Sequence, residues 1–209
     1  MKNFLVIDDH EVVRAGIKTV FREMYPSCHI HEANDETSAV TQIKQQRFDL
    51  VIMDTLMPDT NSFGLLECIH ANHHKEKVLV FSMCDESIYA KRFLKAGAMG
   101  FVHKSAGLTT LRHSITRVLN GRKYVSEKLA EQLVSEIGNG DVDNPFDKLS
   151  RREFEIISLL LGGKAVGKIS ALLAINTNTV TTHKTRAYNK LGVKNLLELL
   201  ELGKLLRFS

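Results

Sequence analysis

Four short apolar runs in the first half of this chain each end in a polar side chain that could do chemistry. Phe4-Leu5-Val6-Ile7 ends in Asp8-Asp9, and Leu50-Val51-Ile52-Met53 ends in Asp54. Val78-Leu79-Val80-Phe81 ends in Ser82, and Gly100-Phe101-Val102-His103 ends in Lys104. Three carboxylates brought together repel, and without a cation some of them take up protons. A hard divalent ion relieves the repulsion, and Mg2+ favours a few carboxylate oxygens together with waters and phosphate oxygens. Asp54 follows the second run directly and is the candidate nucleophile: its carboxylate can attack a phosphoryl group and become an aspartyl phosphate. Asp8, Asp9 and Asp54 would hold the metal, with the backbone carbonyl of Leu56 as a further ligand. Lys104 would neutralise one phosphoryl oxygen and Ser82 would donate a hydrogen bond to another, spreading the charge of transfer.

The elements that position these groups follow from the spacing. Apolar runs of strand length, separated by helix-length segments, read as buried parallel strands of a βαβ array. Ligands of such sheets sit beyond the carboxyl ends of the strands, where strand order reverses. All four runs deliver their polar residue to that edge. A strand-end Asp or Ser can also simply cap the next helix, but that reading has to be invoked separately at every run.

Residues 1 to 120 resemble the receiver domain of a two-component response regulator. The resemblance is carried by Ile7-Asp8-Asp9-His10, Met53-Asp54 with Met57-Pro58 after it, Phe81-Ser82, and the stretch from Ala96 to Lys104. It implies a flavodoxin-like parallel sheet of order 2-1-3-4-5, Asp54 as phospho-acceptor, and a sensor histidine kinase as phosphodonor. It further implies that Ser82 and Phe101 act as a coupled switch, the hydroxyl moving to the phosphate as the ring turns inward. The chain departs from the pattern in two places. Asp59-Thr60-Asn61-Ser62-Phe63-Gly64 is longer than the usual tight glycine-containing loop, and Ser105-Ala106 follows Lys104 in place of the commoner proline.

The chain has 209 residues, which allows one or two domains. It has no run of eighteen apolar residues and no charged-then-apolar leader, so neither a membrane span nor a signal peptide is expected. Cys28, Cys68 and Cys84 are odd in number and not closely paired, as suits buried thiols of a reducing compartment; the bacterial cytoplasm is the expected address.

A composition shift marks the boundary. Gly121-Arg122 breaks the helical text that begins at Leu108, a linker helix capped by Ser126 is expected through Ile137, and Gly138 to Pro145 reads as a flexible tether. The expected organisation is 1–121 as the first domain, 122–146 as a linker with a helix, and 147–209 as a second domain. Charge changes sign across it: residues 1–144 hold 17 Lys+Arg against 19 Asp+Glu, a net of −2, and residues 145–209 hold 11 against 5, a net of +6. A small basic module suits double-stranded DNA, because phosphate neutralisation supplies most non-specific affinity. A solvated basic surface would explain the charge alone, so the helix pattern matters more.

Ser150 with Glu153 forms a capping box opening a helix over 151–161, which Gly162-Gly163 ends. A short helix is expected over 168–174 and another over 179–191, joined by the polar turn Ile175-Asn176-Thr177-Asn178. That is a helix-turn-helix, whose second helix enters the major groove. Val180, Ala187 and Leu191 should face its core. Thr181, Thr182, Lys184, Thr185 and Lys190 fall outside, with Lys194 beyond Gly192, as candidate DNA contacts. The leucine-rich stretch 196–206 is more apolar than one small domain usually hides, so part of it is expected between two chains.

Residues 147–206 resemble the LuxR-type four-helix DNA-binding domain, through Leu149-Ser150-Arg151-Arg152-Glu153, Gly163, Ile169-Ser170, Leu173, Ile175-Asn176, Thr179-Val180, His183 and Lys190-Leu191-Gly192-Val193. With the receiver ahead of it, the whole is similar to a NarL/FixJ-type response regulator. Thr181 replaces the lysine usual after the Thr-Val pair, Ala165-Val166 replaces a Ser-Asn pair, and Lys168 replaces a glutamate.

His70, His73 and His74 lack a convergent ligand set and are expected to be structural or solvated. His10 is expected to line the site or cap the first helix, and Met53, Met57, Met83 and Met99 to fill core. The expectation is an all-α helix-turn-helix domain behind an α/β receiver, acting as a transcriptional regulator switched by phosphorylation of Asp54 with Mg2+. It would accept a phosphoryl group and dephosphorylate itself without being an enzyme otherwise, form a homodimer when phosphorylated, bind DNA, and touch no membrane. Two other functions compete: an aspartyl-phosphate phosphatase or phosphotransferase, against which Leu56 stands where a second Asp would act as general acid, and a regulator that works by protein contacts and binds DNA weakly.

Overall fold

The structure, a computed structural model, describes residues 1–72, 76–139 and 144–206, the side chains of 135–139 excepted. The chain divides into two units, Met1–Leu129 and Ala130–Ser209.

In the first unit, β1 (Asn3–Ile7), β2 (His29–Ala33), β3 (Leu50–Met53), β4 (Val78–Ser82) and β5 (Gly100–His103) form one sheet of order β2-β1-β3-β4-β5, every pair parallel. Every residue of β3 and β4 is buried, the pattern of central strands covered on both faces. Alternate side chains serve two cores. Phe4, Val6, Leu50, Ile52, Leu79, Phe81 and Val102 share one with Ile17, Val20 and Phe21 of α1 (Glu11–Met24) and Leu111, Ile115 and Val118 of α5 (Gly107–Leu119). Phe4 and Phe21 stack there at 4.0 Å. Between α3 (Ser62–Asn72), α4 (Glu86–Lys95) and β5, Phe63 stacks on Phe93 at 4.2 Å, and Phe93 meets Phe101 at 6.4 Å. The remaining crossover helix is α2 (Glu36–Gln45), closed at its start by a capping box of Asp35 and Ser38.

Register places the chemistry. Ile7 pairs with Met53 and Phe81 with Val102, so Asp8 and Asp54 leave adjacent strands side by side and Ser82 and Lys104 leave nearby. Strand order reverses between β1 and β3, at the carboxyl edge where a ligand would sit.

After α5 the chain does more than break. It returns along β5, where Tyr124 N donates to Met99 O at 2.9 Å and Phe101 N donates to Tyr124 O at 3.4 Å. A Cβ at Gly100 would lie 2.9 Å from Tyr124 O, so this strand position needs glycine for the return segment to fit. Then α6 (Glu127–Asn139) begins, with Leu129 N donating to the Ser126 hydroxyl at 3.1 Å; it runs past Gly138, further than its breaker text suggests. Residues 140–143 of the expected tether lie outside the described residues.

The second unit packs α7 (Arg151–Leu161), α8 (Val166–Leu172), α9 (Thr177–Leu191) and α10 (Leu196–Leu205) around Phe146, Phe154, Ile156, Ile157, Ile169, Val180, Ala187 and Leu199. The capping box at Ser150 and Glu153 is present. Helix α8 starts and ends two residues earlier than the text suggests, because Ala174 turns left-handed (φ 50°) and terminates it. Helix α9 starts at Thr177, two residues early, because the Asn176 side chain accepts from Asn178 N at 2.8 Å and caps it there. Gly192 closes it in the left-handed region.

One expectation about core filling needs correction. Met53 and Met57 are buried and Met99 packs against the core, but Met83 is 55% exposed, because the chain leaves the sheet edge immediately after Ser82. His73 and His74 lie outside the described residues. His70 lies in the last turn of α3 with its ring against Gly97. Among the described residues no helix is long and apolar enough to cross a membrane.

Candidate phosphoryl-acceptor site and nucleic-acid interface

Asp8 and Asp54 are 1% and 3% exposed, an expensive place for two carboxylates unless each is paired. Lys104 pairs both, its ammonium 2.7 Å from Asp8 Oδ2 and 2.7 Å from Asp54 Oδ2. Burial works against the charged lysine, but hydrogen bonds to Asp54 and Asp8 outweigh it and hold the lysine pKa above its ordinary value. The other oxygen of Asp54 is held by backbone: Thr55 N donates to Oδ1 at 2.5 Å and Leu56 N at 3.1 Å. Asp54 is thus fixed by the strand on one side, a cation on the other and two amides below.

Asp9 is only partly buried, yet its Oδ1 is shut from solvent and makes no hydrogen bond among the described residues, although His10 Nδ1 stands 2.9 Å away. His10 sits at the start of α1 without capping it through its side chain, and its Nδ1 lies 3.3 Å from Asp8 Oδ1. Ligand atoms of Asp8, Asp9, His10 and Asp54 lie within 4.8 Å of one another. Hard oxygen donors with an orphaned buried carboxylate oxygen fit a divalent cation of the magnesium type. The Leu56 carbonyl belongs to the loop between β3 and α3 that carries these amides.

Arg14 buttresses Asp8. Its guanidinium donates to Asp8 O at 2.8 Å and to Glu32 at 3.1 Å, and Lys18 donates to Glu32 at 2.6 Å. The Lys18 hydrogen bond, with that of Arg14, holds the Glu32 pKa low against the opposing effect of burial. On the other flank Ser82 is fully buried, and its Oγ accepts the Thr55 hydroxyl at 2.7 Å. Phe101 is buried with its ring toward Phe93.

The two departures from the receiver pattern have local explanations. Asp59 adopts φ 53°, a conformation glycine usually takes, and Asn61 then caps α3 by accepting from Gly64 N at 3.1 Å while donating its own N–H to Glu36 at 2.9 Å. Ser105 supplies what proline would lack. Its N–H donates to His103 Nδ1 at 3.3 Å, and His103 Nε2 reaches Met83 O at 3.1 Å, tying the end of β5 to the loop after Ser82.

Sequence reasoning brought Asp8, Asp9, Asp54, Ser82 and Lys104 to one edge, and the structure places them there. It missed Thr55, Arg14 and His103. For Thr55 a signal existed, a hydroxyl residue directly after the candidate nucleophile; Arg14 and His103 matter only through tertiary neighbours.

In the second unit, α9 exposes Thr181, Thr182, Thr185 and Lys190, and Lys194 is exposed beyond it. Lys184 is half-buried, its ammonium 5.7 Å from the Tyr188 ring centre. The three threonine hydroxyls donate back into the helix, to Thr177 O, Asn178 O and Thr181 O at 3.0, 2.9 and 3.0 Å. Their oxygens and methyls remain for a groove. Lys190 turns inward enough to donate to Glu153 Oε2 at 2.6 Å. Tyr188 is buried where Leu191 was expected to be, and Leu191 is half-buried.

Residues 4–116 match the response regulator receiver domain and residues 147–202 match the bacterial regulatory proteins of the luxR family. The chain is 32% identical to the response regulator GacA of Pseudomonas viridiflava, covering 95% of this chain and 94% of that protein. It is 29% identical to the response regulator UvrY of Escherichia coli strain K12, covering 97% and 94%. The structure of RcsB from Salmonella enterica serovar Typhimurium bound to promoter rprA in the presence of phosphomimetic BeF3- superposes with a TM-score of 0.78 at 24% identity, covering 96% and 97% of the two chains, a likeness of fold. The chain belongs to the NarL/FixJ-type response regulators, a receiver joined to a LuxR-type helix-turn-helix domain.

Proposed function

We propose that Asp54 accepts a phosphoryl group from a sensor histidine kinase and that the aspartyl phosphate switches a DNA-binding transcriptional regulator. The observation that carries this reading is the state of Asp54: a buried carboxylate at the end of β3, oriented by two amides and paired with Lys104, beside Asp8 and Asp9. Asp8, Asp9, Asp54 and the Leu56 carbonyl would hold Mg2+, which when bound neutralises carboxylate and phosphoryl charge. Lys104 meets a phosphoryl oxygen once Asp54 is phosphorylated, and Ser82 donates to another. The aspartyl phosphate is then read by Ser82 and Phe101 and lost by hydrolysis on the same chain.

DNA binding is assigned to α9, with Thr181, Thr182, Lys184, Thr185, Lys190 and Lys194 toward the duplex. This draws on the family and on the basic charge of residues 145–209. The relatives support it: RcsB is described as two dimers bound to two parallel DNAs. Dimerisation of this chain when phosphorylated draws on α10, where Leu197 and Leu205 are 66% and 78% exposed. A second reading, contact with proteins and weak DNA binding, draws on the occupied Lys190 ammonium and the back-bonded threonines.

The test is labelling with a small acyl-phosphate donor and Mg2+. Wild type should gain an acid-stable, base-labile acyl phosphate and bind beryllofluoride, and Asp54→Asn should do neither; persistent labelling of Asp54→Asn removes Asp54 from the role. A gel shift of random duplex over several salt concentrations separates the DNA-binding reading from the second one.

A further inference from the structure

Thr55 connects the candidate acceptor to Ser82, and all of its polar groups are engaged. Its N–H donates to Asp54 Oδ1 at 2.5 Å and its carbonyl accepts the Ser62 hydroxyl at 2.8 Å. Its own hydroxyl donates to Ser82 Oγ at 2.7 Å, with Cys84 Sγ 3.5 Å away. Ser82 Oγ also accepts from Cys84 N at 3.4 Å. The Ser82 oxygen therefore receives two donors, and among the described residues nothing accepts the Ser82 proton in return. Ser82 is fully buried, so water does not replace the missing acceptor. Buried polar hydrogens without a partner are uncommon and ask for an explanation.

The direction of the chain follows from its members. If Ser82 donated to Thr55, the Thr55 proton would be left to the Cys84 sulfur, a weak acceptor. Burial foremost pushes the Cys84 thiol pKa up, so the sulfur keeps its proton and has it to donate in the contact with Thr55 Oγ1. The consistent order is Cys84 S–H to Thr55 Oγ1, Thr55 O–H to Ser82 Oγ, and the Ser82 proton outward. Hydrogen bonds aligned in this way polarise one another and strengthen the last donor.

We propose that Thr55 is a positioning residue: its hydroxyl fixes Ser82 as an acceptor and so leaves the Ser82 proton for an oxygen of a phosphoryl group on Asp54. The role rests on Asp54 being the acceptor. It differs from the Ser82 switch itself, since Thr55 touches neither phosphoryl group nor metal through its side chain. It sets how firmly the phosphorylated state is read.

The experiment compares full-length wild type, Thr55→Val and Thr55→Ser. For each, the phosphorylated fraction is measured, and self-association by light scattering is expressed per phosphorylated molecule. Thr55→Val keeps the shape and loses the hydroxyl, so its gain in association constant on phosphorylation should be about fivefold smaller than wild type, the worth of one neutral hydrogen bond. Thr55→Ser keeps the hydroxyl and should restore most of the gain. A purely structural role would lower the melting temperature of Thr55→Val without changing the ratio of phosphorylated to unphosphorylated association. Three results overturn the proposal: a labelled Thr55→Val with the full wild-type gain, a Thr55→Ser as impaired as Thr55→Val, or a labelled wild type with no gain. Failure of wild type to take label in the presence of Mg2+ is a different result, which removes Asp54 as acceptor and this role with it.

Discussion

Lys190, in the last turn of α9, places its ammonium 2.6 Å from Glu153 Oε2, and Glu153 is buried at the start of α7 as one half of the capping box. One ion pair thus ties the helix assigned to the DNA groove to the helix that begins the domain. Burial pushes the Glu153 pKa up, but hydrogen bonds from Lys190 and Ser150 outweigh it and hold it below the ordinary glutamate value.

A depressed carboxylate pKa stabilises the fold above the unfolded-state value, about 4.3 for glutamate, and loses that contribution as pH falls through the lower folded-state value. Lys190→Met should therefore destabilise the second unit at neutral pH by about 1 kcal/mol, discounted because the lysine is partly exposed. The difference from wild type should vanish in acid, once the pH has fallen below the lower folded-state value as well. Urea midpoints at the two pH values check this. A difference that persists in acid would mean that Lys190 acts by packing.

Ser126 performs two tasks at the start of α6. Its hydroxyl accepts from Leu129 N at 3.1 Å and donates to Glu86 at 2.6 Å, while its own N–H reaches Glu86 at 3.1 Å. Glu86 lies in the first turn of α4, four residues after Ser82. Ser126→Ala should cost about 1 kcal/mol in capping and speed hydrogen exchange at the Leu129 amide. Unchanged protection of that amide would assign the capping to another group.

Ser82→Ala should still be labelled at Asp54 while showing a weaker response, because in the proposed switch the hydroxyl reads the phosphoryl group and does not accept it. Light scattering of the labelled mutant beside labelled wild type measures the loss. An equal response in both would send the signal out by another route, such as Lys104.

Thr181 stands exposed on α9 where the family usually carries a lysine. Thr181→Lys should add about one phosphate contact and steepen the dependence of log K on log salt by about 0.9. A contact to a base edge would add roughly 1–3 kcal/mol at a suitable site. Affinity for random duplex at several salt concentrations reads the slope. Unchanged affinity and slope would rotate the assigned recognition face away from Thr181.

The sequence alone determined four of the five strands and the identity of the acid cluster, because both are local facts; β2, His29-Ile30-His31-Glu32-Ala33, is no apolar run and did not stand out. A buried parallel strand must be apolar along its length, so its end is visible as the first polar residue, as at Asp8, Asp54 and Ser82, while Lys104 follows the polar end His103 of β5. The capping box at Ser150 and Glu153 was visible for the same reason, since its partners stand three residues apart. Its errors were local as well: Asn176 capped α9 two residues early, and Met83 was assigned to a core that the chain had just left. What the sequence did not determine lies in contacts between distant residues. Lys104 bridging Asp8 and Asp54, Thr55 donating to Ser82, Arg14 holding the Asp8 carbonyl and Lys190 meeting Glu153 all join residues whose separation along the chain carries no pattern. Side-chain hydrogen bonds depend on ångström-scale placement, and that placement is set only when the strands take their register and the helices pack.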